Sequence, residues 1–191
     1  MTACGELIKL HAKQLKLPTV SRYEEVLRQA ENQGWGYEQF LCELLDREVN
    51  QRQLNQQIRR MRAARFPLKK SLDDFDFNNL PNVEEAVVWQ FATGEFVDRH
   101  ENIIMIGNPG TGKTHLSIGL GIRLCKQKYK VRFYTAANLV TELVEARDDH
   151  RLSRLEQKLE KMDLLIVDEL SYLTFSKSQS ELLFHLLSIR N

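Results

Sequence analysis

The chain has 191 residues, of which 42% are hydrophobic and 28% charged, a composition typical of a folded globular protein and not of a disordered or fibrous one. Its 27 Lys and Arg against 26 Asp and Glu leave a formal charge of +1, but residues 1–70 hold 13 basic against 8 acidic residues. The sequence shows no signal peptide, no membrane-length apolar run and no CxxC pair, which predicts a cytoplasmic protein without a membrane span or a zinc site.

The front of the chain, residues 1–70, is predicted to form a small basic helical domain. Apolar residues recur there at helical spacing, and Ser21 followed by Glu24 has the spacing of a capping box at a helix start. The three predicted helices cover about Leu7–Leu17, Arg22–Glu31 and Phe40–Met61.

Basic residues are concentrated at the end of the third predicted helix and just beyond it. A solvated helix face and contact with nucleic-acid phosphates are both compatible with such a run, and its density alone does not separate them. The candidate DNA contacts are Arg52, Arg59, Arg60, Arg62, Arg65, Lys69 and Lys70. The next segment, Ser71–Pro81, is rich in Asp, Asn and Phe, which predicts a linker whose aromatic rings dock onto the following domain.

From Asn82 the pattern changes to alternating helices and strands, which is typical of a parallel α/β sheet. Three short runs predict strands: the apolar Ile103–Ile106, suited to a buried strand, then Val131–Tyr134 and Leu164–Val167. The predicted helices cover about Val83–Thr93, Gly112–Gln127, Ala136–Arg147 and Ser178–Ile189, with a charged surface helix between Asp148 and Lys161. Residues 71–191 are therefore predicted to form an α/β core.

A glycine-rich loop follows the first predicted strand. Residues 107–114 read GNPGTGKT and match the P-loop pattern G-x-x-x-x-G-K-S/T at every fixed position. In such a loop the backbone N–H groups cradle phosphates, the lysine binds the β- and γ-phosphates, and the hydroxyl ligates Mg²⁺. The predicted nucleotide site comprises Gly107, Asn108, Pro109, Gly110, Thr111, Gly112, Lys113, Thr114 and His115. The side chain of His115 is expected to pack or to lie at a polar surface.

Two carboxylates end the third predicted strand. Because functional groups collect at the carboxyl ends of parallel strands, Asp168 is expected beside the P-loop, where it would hold Mg²⁺ together with Thr114. Glu169 would act as the general base on the attacking water, with Lys113 as the catalytic cation. The adjacent Asp-Glu pair favours an ATPase. A GTPase would need an Asn-Lys-x-Asp element, which is absent, and a small-molecule kinase or a RecA-like ATPase fits less well.

Four segments of the chain resemble the AAA+ ATPases and, within them, the IstB/DnaC-like group. They are LDDFDFNNLP at 72–81, ATGEFVDRHENIIMIGNPGTGKTHLSIGLG at 92–121, RFYTAANLVTEL at 132–143 and DLLIVDELSYL at 163–173. The nearest resemblance is to IstB-type transposition helpers. It implies an ATPase that assembles on double-stranded DNA, bends it and recruits a partner transposase, with the basic run making phosphate contacts. The alternative is a helicase loader that binds a replicative helicase, because the two groups share this core.

The resemblance also implies five parallel strands in the order 5-1-4-3-2, followed by a helical lid. The chain supplies the first three strands, so we expect an incomplete core that lacks the fourth strand, the arginine finger and the lid. Such a chain would hydrolyse ATP poorly, would form a homo-oligomer only with the full-length core, and could be a truncated ATP-binding remnant. The empty central position would leave ladder groups unpaired at about 1–3 kcal/mol each, unless the first and third strands pair directly.

Overall fold

The computed structural model describes residues 3–77, 83–170 and 174–190, and the chain divides into two compact units between Ile58 and Arg59. The first unit is helical and the second is α/β. The predicted boundary at residue 70 lies inside the second unit, where Ala64 is fully buried in a cluster with Leu124 and Val131. Across the described ranges, none of the helices combines the length and apolar character that crossing a membrane requires.

Three helices build the first unit, as the sequence predicted. They are α1 (Ala3–Gln14), α2 (Tyr23–Gln33) and α3 (Tyr37–Ala64), whose last residues belong to the second unit, and a 3₁₀ turn (Val20–Arg22) precedes α2. The predicted capping box is wrong, because Ser21 lies inside the 3₁₀ turn and its hydroxyl donates to the carbonyl of Pro18 at 2.6 Å. Helix α2 therefore begins without a side-chain cap.

A buried carboxylate ties the loop before α2 to α3. Glu48 is only 3% exposed, and it accepts hydrogen bonds from the Thr19 backbone N–H at 2.8 Å and from Arg52 Nε at 2.9 Å. Arg52 also donates to the carbonyl of Lys16 at 2.6 Å. Burial opposes ionisation of Glu48, but the hydrogen bonds from Arg52 and Thr19 outweigh it, so the pKa of this carboxyl lies below its ordinary value.

The second unit surrounds a two-stranded parallel sheet. Strand β1 (Val131–Thr135) pairs with β2 (Leu164–Asp168), with Val131 opposite Leu164 and Thr135 opposite Asp168. The helices are α4 (Glu85–Phe91), α5 (Glu95–Asp98), α6 (Lys113–Lys126), α7 (Ala136–Asp148), α8 (Leu152–Glu160) and α9 (Lys177–Ile189). Thus the second and third predicted strands are neighbours, as the 5-1-4-3-2 order requires.

Helices cover both faces of this sheet. Leu164 and Ile166 of β2 pack on the side of α6, in clusters that include Leu124 and Ile118. The alternate residues Leu165 and Val167 pack against the cluster of α7, α8 and α9. A strand covered on both faces has apolar residues at successive positions, which is why β2 reads as a continuous apolar run.

The first predicted strand is absent as a strand. Within 103–106, Ile103 and Met105 pack against the helical layer, whereas Ile104 and Ile106 are 82% and 93% exposed. Burial alternates with the period of a strand, but in the described ranges the segment has no ladder partner, and strand assignment requires one. A cleft of about 820 Å³ is lined by this segment and by β2. The predictions of a buried strand here and of direct pairing between the first and third predicted strands are therefore wrong.

Candidate nucleotide site

The glycine-rich loop leads directly into α6, whose first residue is Lys113. Gly110 and Gly112 have φ values of +80° and +85°, a left-handed conformation that glycine adopts without strain. Gly112 is the N-cap of α6. The first N–H groups of a helix lack acceptors inside it, and the helix dipole makes this end positive. The loop and the helix start therefore have the local geometry of an anion site.

The ammonium group of Lys113 is held by its own loop. Its Nζ donates to the carbonyls of Gly107 at 2.8 Å and Asn108 at 2.7 Å, and to Thr111 Oγ1 at 3.3 Å. The Thr111 hydroxyl in turn donates to the Asn108 carbonyl at 2.9 Å. Phosphate oxygens form stronger charge-assisted hydrogen bonds than neutral carbonyls, so a bound phosphate chain can replace these contacts.

Thr114 and Asp168 are brought together by the fold. The Thr114 hydroxyl, in the first turn of α6, donates to Asp168 Oδ2, at the end of β2, over 2.7 Å. The other carboxylate oxygen of Asp168 accepts from the backbone N–H of Glu169 at 3.0 Å. Both predicted metal ligands are half-buried and line the same cleft as Lys113.

This pair suits a hard divalent cation. A hydroxyl and a carboxylate are both oxygen donors of the kind that Mg²⁺ prefers, and few protein ligands are needed when substrate phosphates supply the others. Thr114 and Asp168 are the residues that would hold Mg²⁺, whose positive charge would offset that of the phosphates.

Glu169, the predicted general base, lies at the mouth of this cleft. It is exposed and has a φ of +60°, in the left-handed region that is costly for a residue with a side chain. The carboxylate is placed where it could accept a proton from water.

The segment before α4 also reaches this site, as the linker prediction expected. His115 Nε2 lies 3.0 Å from the carbonyl of Ser71, and its ring meets that of Phe75 edge-to-face at 4.9 Å. His115 thus packs, as predicted, while Asn108 and Pro109 are exposed. Asn78 and Asn79 of the linker lie outside the described residues.

Sequence reasoning missed two neighbours of the loop. The ring of Phe75 lies against Gly112, and Lys70, which the sequence assigns to the basic run, lines the cleft that holds Lys113. No spacing rule connects either residue to the P-loop, because both contacts depend on how the linker crosses α6.

The basic run is divided between internal contacts and free surface. Arg52 is bound to Glu48, and Arg60 is half-buried with its Nε donating to the carbonyl of Cys125 at 2.9 Å. Because these guanidinium groups already have intramolecular partners, they are the weakest of the predicted DNA contacts. Within this run, the exposed basic residues that form no ion pair with a described carboxylate are Arg59, Arg62, Arg65, Lys69 and Lys70.

Comparison with known proteins agrees with this geometry. Residues 10–191 match the family described as IstB-like ATP binding protein, a range that includes the loop and Asp168. The chain belongs to the IstB-like ATP-binding protein family. It is 37% identical over 92% of its length to an insertion sequence IS21 ATP-binding protein of Pseudomonas aeruginosa, of which it covers 67%.

Two further relatives of this IstB-like chain come from other bacteria. An insertion sequence IS5376 ATP-binding protein of Geobacillus stearothermophilus is 32% identical over 97% of the chain, which covers 74% of that protein. An insertion sequence ATP-binding protein of Sinorhizobium fredii is 34% identical over 92% of the chain, which covers 60% of it. The chain is therefore an IstB-like ATP-binding protein of the insertion-sequence type that spans about 60–74% of the length of these relatives.

Proposed function

We propose that this IstB-like chain binds ATP with Mg²⁺ and that its ATP-bound form assists transposition by contacting duplex DNA and recruiting a transposase. The observation that carries the nucleotide part is the 2.7 Å hydrogen bond from Thr114 to Asp168 in the cleft that also holds Lys113. The relatives named as insertion-sequence ATP-binding proteins support the proposed role in transposition.

Each residue of the site has a distinct task in this proposal. The N–H groups at the start of α6 and the ammonium group of Lys113 bind the phosphate chain. Thr114 and Asp168 hold Mg²⁺, which offsets phosphate charge. Glu169 orients a water molecule and accepts its proton. The activity expected first of this chain is nucleotide binding.

The DNA part of the proposal depends on the free basic residues. Arg59 and Arg62 lie one turn apart near the end of α3, and Arg65 follows directly after its last residue, Ala64. All three are exposed and have no ion pair with a described carboxylate. Contacts of this kind bind phosphates without reading sequence, and they weaken as salt rises.

The proposal is tested by two titrations on the same preparation. Isothermal calorimetry measures ATP binding in the presence of Mg²⁺, and fluorescence anisotropy measures binding to a labelled DNA duplex with and without ATP. Lys113→Ala should remove both ATP binding and the ATP-dependent gain in DNA affinity. Lys126→Ala, an exposed lysine at the other end of α6, is the matched control and should change neither.

Two outcomes would contradict the proposal. ATP binding by Lys113→Ala equal to that of the parent chain would show that the loop is not the nucleotide site. DNA affinity that is negligible at low salt, together with ATP-linked binding to a replicative helicase, would support the helicase-loader alternative instead.

A further inference from the structure

The segment Ser71–Phe77, which we term the connecting segment, lies across one face of α6. Leu72 is only 3% exposed, and a Cβ at Gly119 would lie 2.9 Å from its side chain. A Cβ at Gly112 would lie 2.9 Å from Cε2 of Phe75. Gly112 and Gly119 are two turns apart on the same face of the helix. The connecting segment therefore contacts α6 at two glycines, and one of them belongs to the phosphate loop.

The ring of Phe75 occupies the space where a side chain at position 112 would lie. Gly112 has a φ of +85°, and its carbonyl accepts the backbone N–H of Leu116 at 2.9 Å, which starts the helix. Phe75 is held in turn by edge-to-face contacts with Phe77 and His115, each with ring centres 4.9 Å apart. The ring is thus fixed on one side by aromatic neighbours and on the other by the backbone of the loop.

A hydrogen bond between His115 and Ser71 attaches the connecting segment to α6. His115 Nε2 lies 3.0 Å from the carbonyl oxygen of Ser71. A carbonyl oxygen can only accept, so Nε2 carries the proton and donates. The backbone N–H of Phe75 also donates to the carbonyl of Leu72 at 3.1 Å, which forms a turn within the connecting segment. Both ends of this turn are therefore attached to the first two turns of α6.

Resting on the proposed ATP binding, we propose that Phe75 is a positioning residue for the phosphate site. Its ring, supported by the bond from His115 to Ser71, keeps Gly112 in the left-handed conformation. That conformation aims the first N–H groups of α6 and the side chain of Lys113 at the phosphate chain. The apparent affinity equals the intrinsic affinity multiplied by the fraction of molecules in the binding-competent conformation. If loss of the ring reduces that fraction to about a tenth, the Kd for the phosphate chain rises about tenfold.

The test compares two ligands on the full chain. Calorimetry measures the Kd of ATP and of inorganic tripolyphosphate for the parent chain, Phe75→Ala, Phe75→Leu and His115→Ala. We expect Phe75→Ala to weaken both ligands about tenfold and by the same factor, with Phe75→Leu intermediate. His115→Asn, whose amide can still donate, should recover part of the loss in His115→Ala. Phe184→Ala, which removes a ring that is 73% exposed on α9, is the control and should leave both affinities unchanged.

Each other outcome has a defined meaning. Weaker ATP binding with unchanged tripolyphosphate binding would mean that the ring contacts the base, and it would overturn the inference. Unchanged affinity for both ligands would also overturn it. A parent chain that binds neither ligand would refute the proposed function itself, and the inference with it. If Phe75→Ala shows no cooperative thermal transition, Phe75→Leu and His115→Ala decide the matter on the same two ligands.

Discussion

The hydroxyl of Thr114 donates to the carboxylate of Asp168 over 2.7 Å although 54 positions separate the two residues. One residue lies in the first turn of α6 and the other ends β2. Because α6 leads into β1, and β1 runs parallel to β2, the start of α6 lies at the edge of the sheet where β2 ends. The two predicted metal ligands are therefore placed together by the fold of the second unit.

This pair predicts a Mg²⁺-dependent part of ATP affinity. Asp168→Asn keeps an acceptor for the Thr114 hydroxyl but removes the charge, so we expect ATP affinity measured with Mg²⁺ to fall about tenfold, to the value measured with EDTA. Thr114→Ser should retain the Mg²⁺ effect and Thr114→Val should lose it. Calorimetric titrations with Mg²⁺ and with EDTA measure this, and undiminished stimulation by Mg²⁺ in Asp168→Asn would contradict the assignment.

The exposed arginines at and just beyond the end of α3 predict a change in the salt dependence of DNA binding. Replacing Arg59, Arg62 and Arg65 together by Gln should weaken duplex binding at all sequences and reduce the slope of log affinity against log salt by about 3, one unit for each phosphate contact.

The control for this triple variant is a triple of equal charge change elsewhere in the second unit. Arg99, Arg151 and Arg154 are exposed, and their replacement by Gln should leave the slope almost unchanged. Anisotropy titrations from low to moderate salt provide the comparison. An equal reduction of this slope in both triple variants would show that only net charge matters, and it would refute a local DNA-binding surface.

Glu48 predicts a pH dependence of stability in the first unit. Its folded pKa lies below its ordinary value of about 4.3, so the ionised group stabilises the fold above that pH. The contribution is lost as pH falls through the lower folded value. Glu48→Gln should reduce the free energy of unfolding by roughly 1–3 kcal/mol near pH 7, and this difference from the parent should shrink as the pH falls below the ordinary pKa of a glutamate.

Urea unfolding followed by helical circular dichroism at several pH values measures this effect. Glu38→Gln, an exposed carboxyl in the first turn of α3, is the control and should cause little change at any of these pH values. If the difference in unfolding free energy between the parent chain and Glu48→Gln stays constant with pH, the charge of Glu48 contributes nothing to stability.

The three cysteines predict an order of alkylation. Burial raises the pKa of Cys125 to about 11, and this thiol has no exposure to solvent. The nearby carboxylate of Asp46, with a smaller effect of burial, raises the pKa of Cys42. Because thiolates react and thiols do not, iodoacetamide at pH 8 should modify exposed Cys4 first, Cys42 more slowly, and Cys125 only on unfolding. Mass spectrometry of timed digests gives the order, and early labelling of Cys125 would show that the packing between α6 and α3 opens readily.

The nucleotide site is the part of this protein that the sequence predicts best. Gly110, Gly112 and Lys113 lie within a short motif whose function depends on local backbone geometry, so spacing alone identifies them. Asp168 follows from a topological rule about parallel strands and not from its neighbours. The elements predicted by strong helical periodicity, such as α3 and α7, are also present, with ends that differ by a few residues.

Two predictions failed and one contact was not predicted, because the residue pattern does not show which groups become hydrogen-bond partners. Ile103–Ile106 has the apolar character of a strand, but a strand exists only with a ladder partner. Ser21 has the spacing of a cap, but a 3₁₀ turn directs its hydroxyl to Pro18. Arg60 appears in the sequence as one more basic residue, whereas its guanidinium is bound to a carbonyl of α6. The partner of Arg60 is 65 positions away, and that of Ser21, although only three positions away, depends on the turn that forms there.

Because the side chains of Ile104 and Ile106 are exposed, the number of ATP sites measured per chain should depend on protein concentration. They line a cleft whose other wall is β2, and in the described ranges β2 has a ladder partner, β1, on one edge only. Unprotected strand edges beside apolar side chains act as templates for extended segments of neighbouring molecules. Lys113 and Thr114 line the same cleft, so chains that aggregate through it would lose their nucleotide sites. The number of ATP sites per chain should therefore be highest in dilute samples.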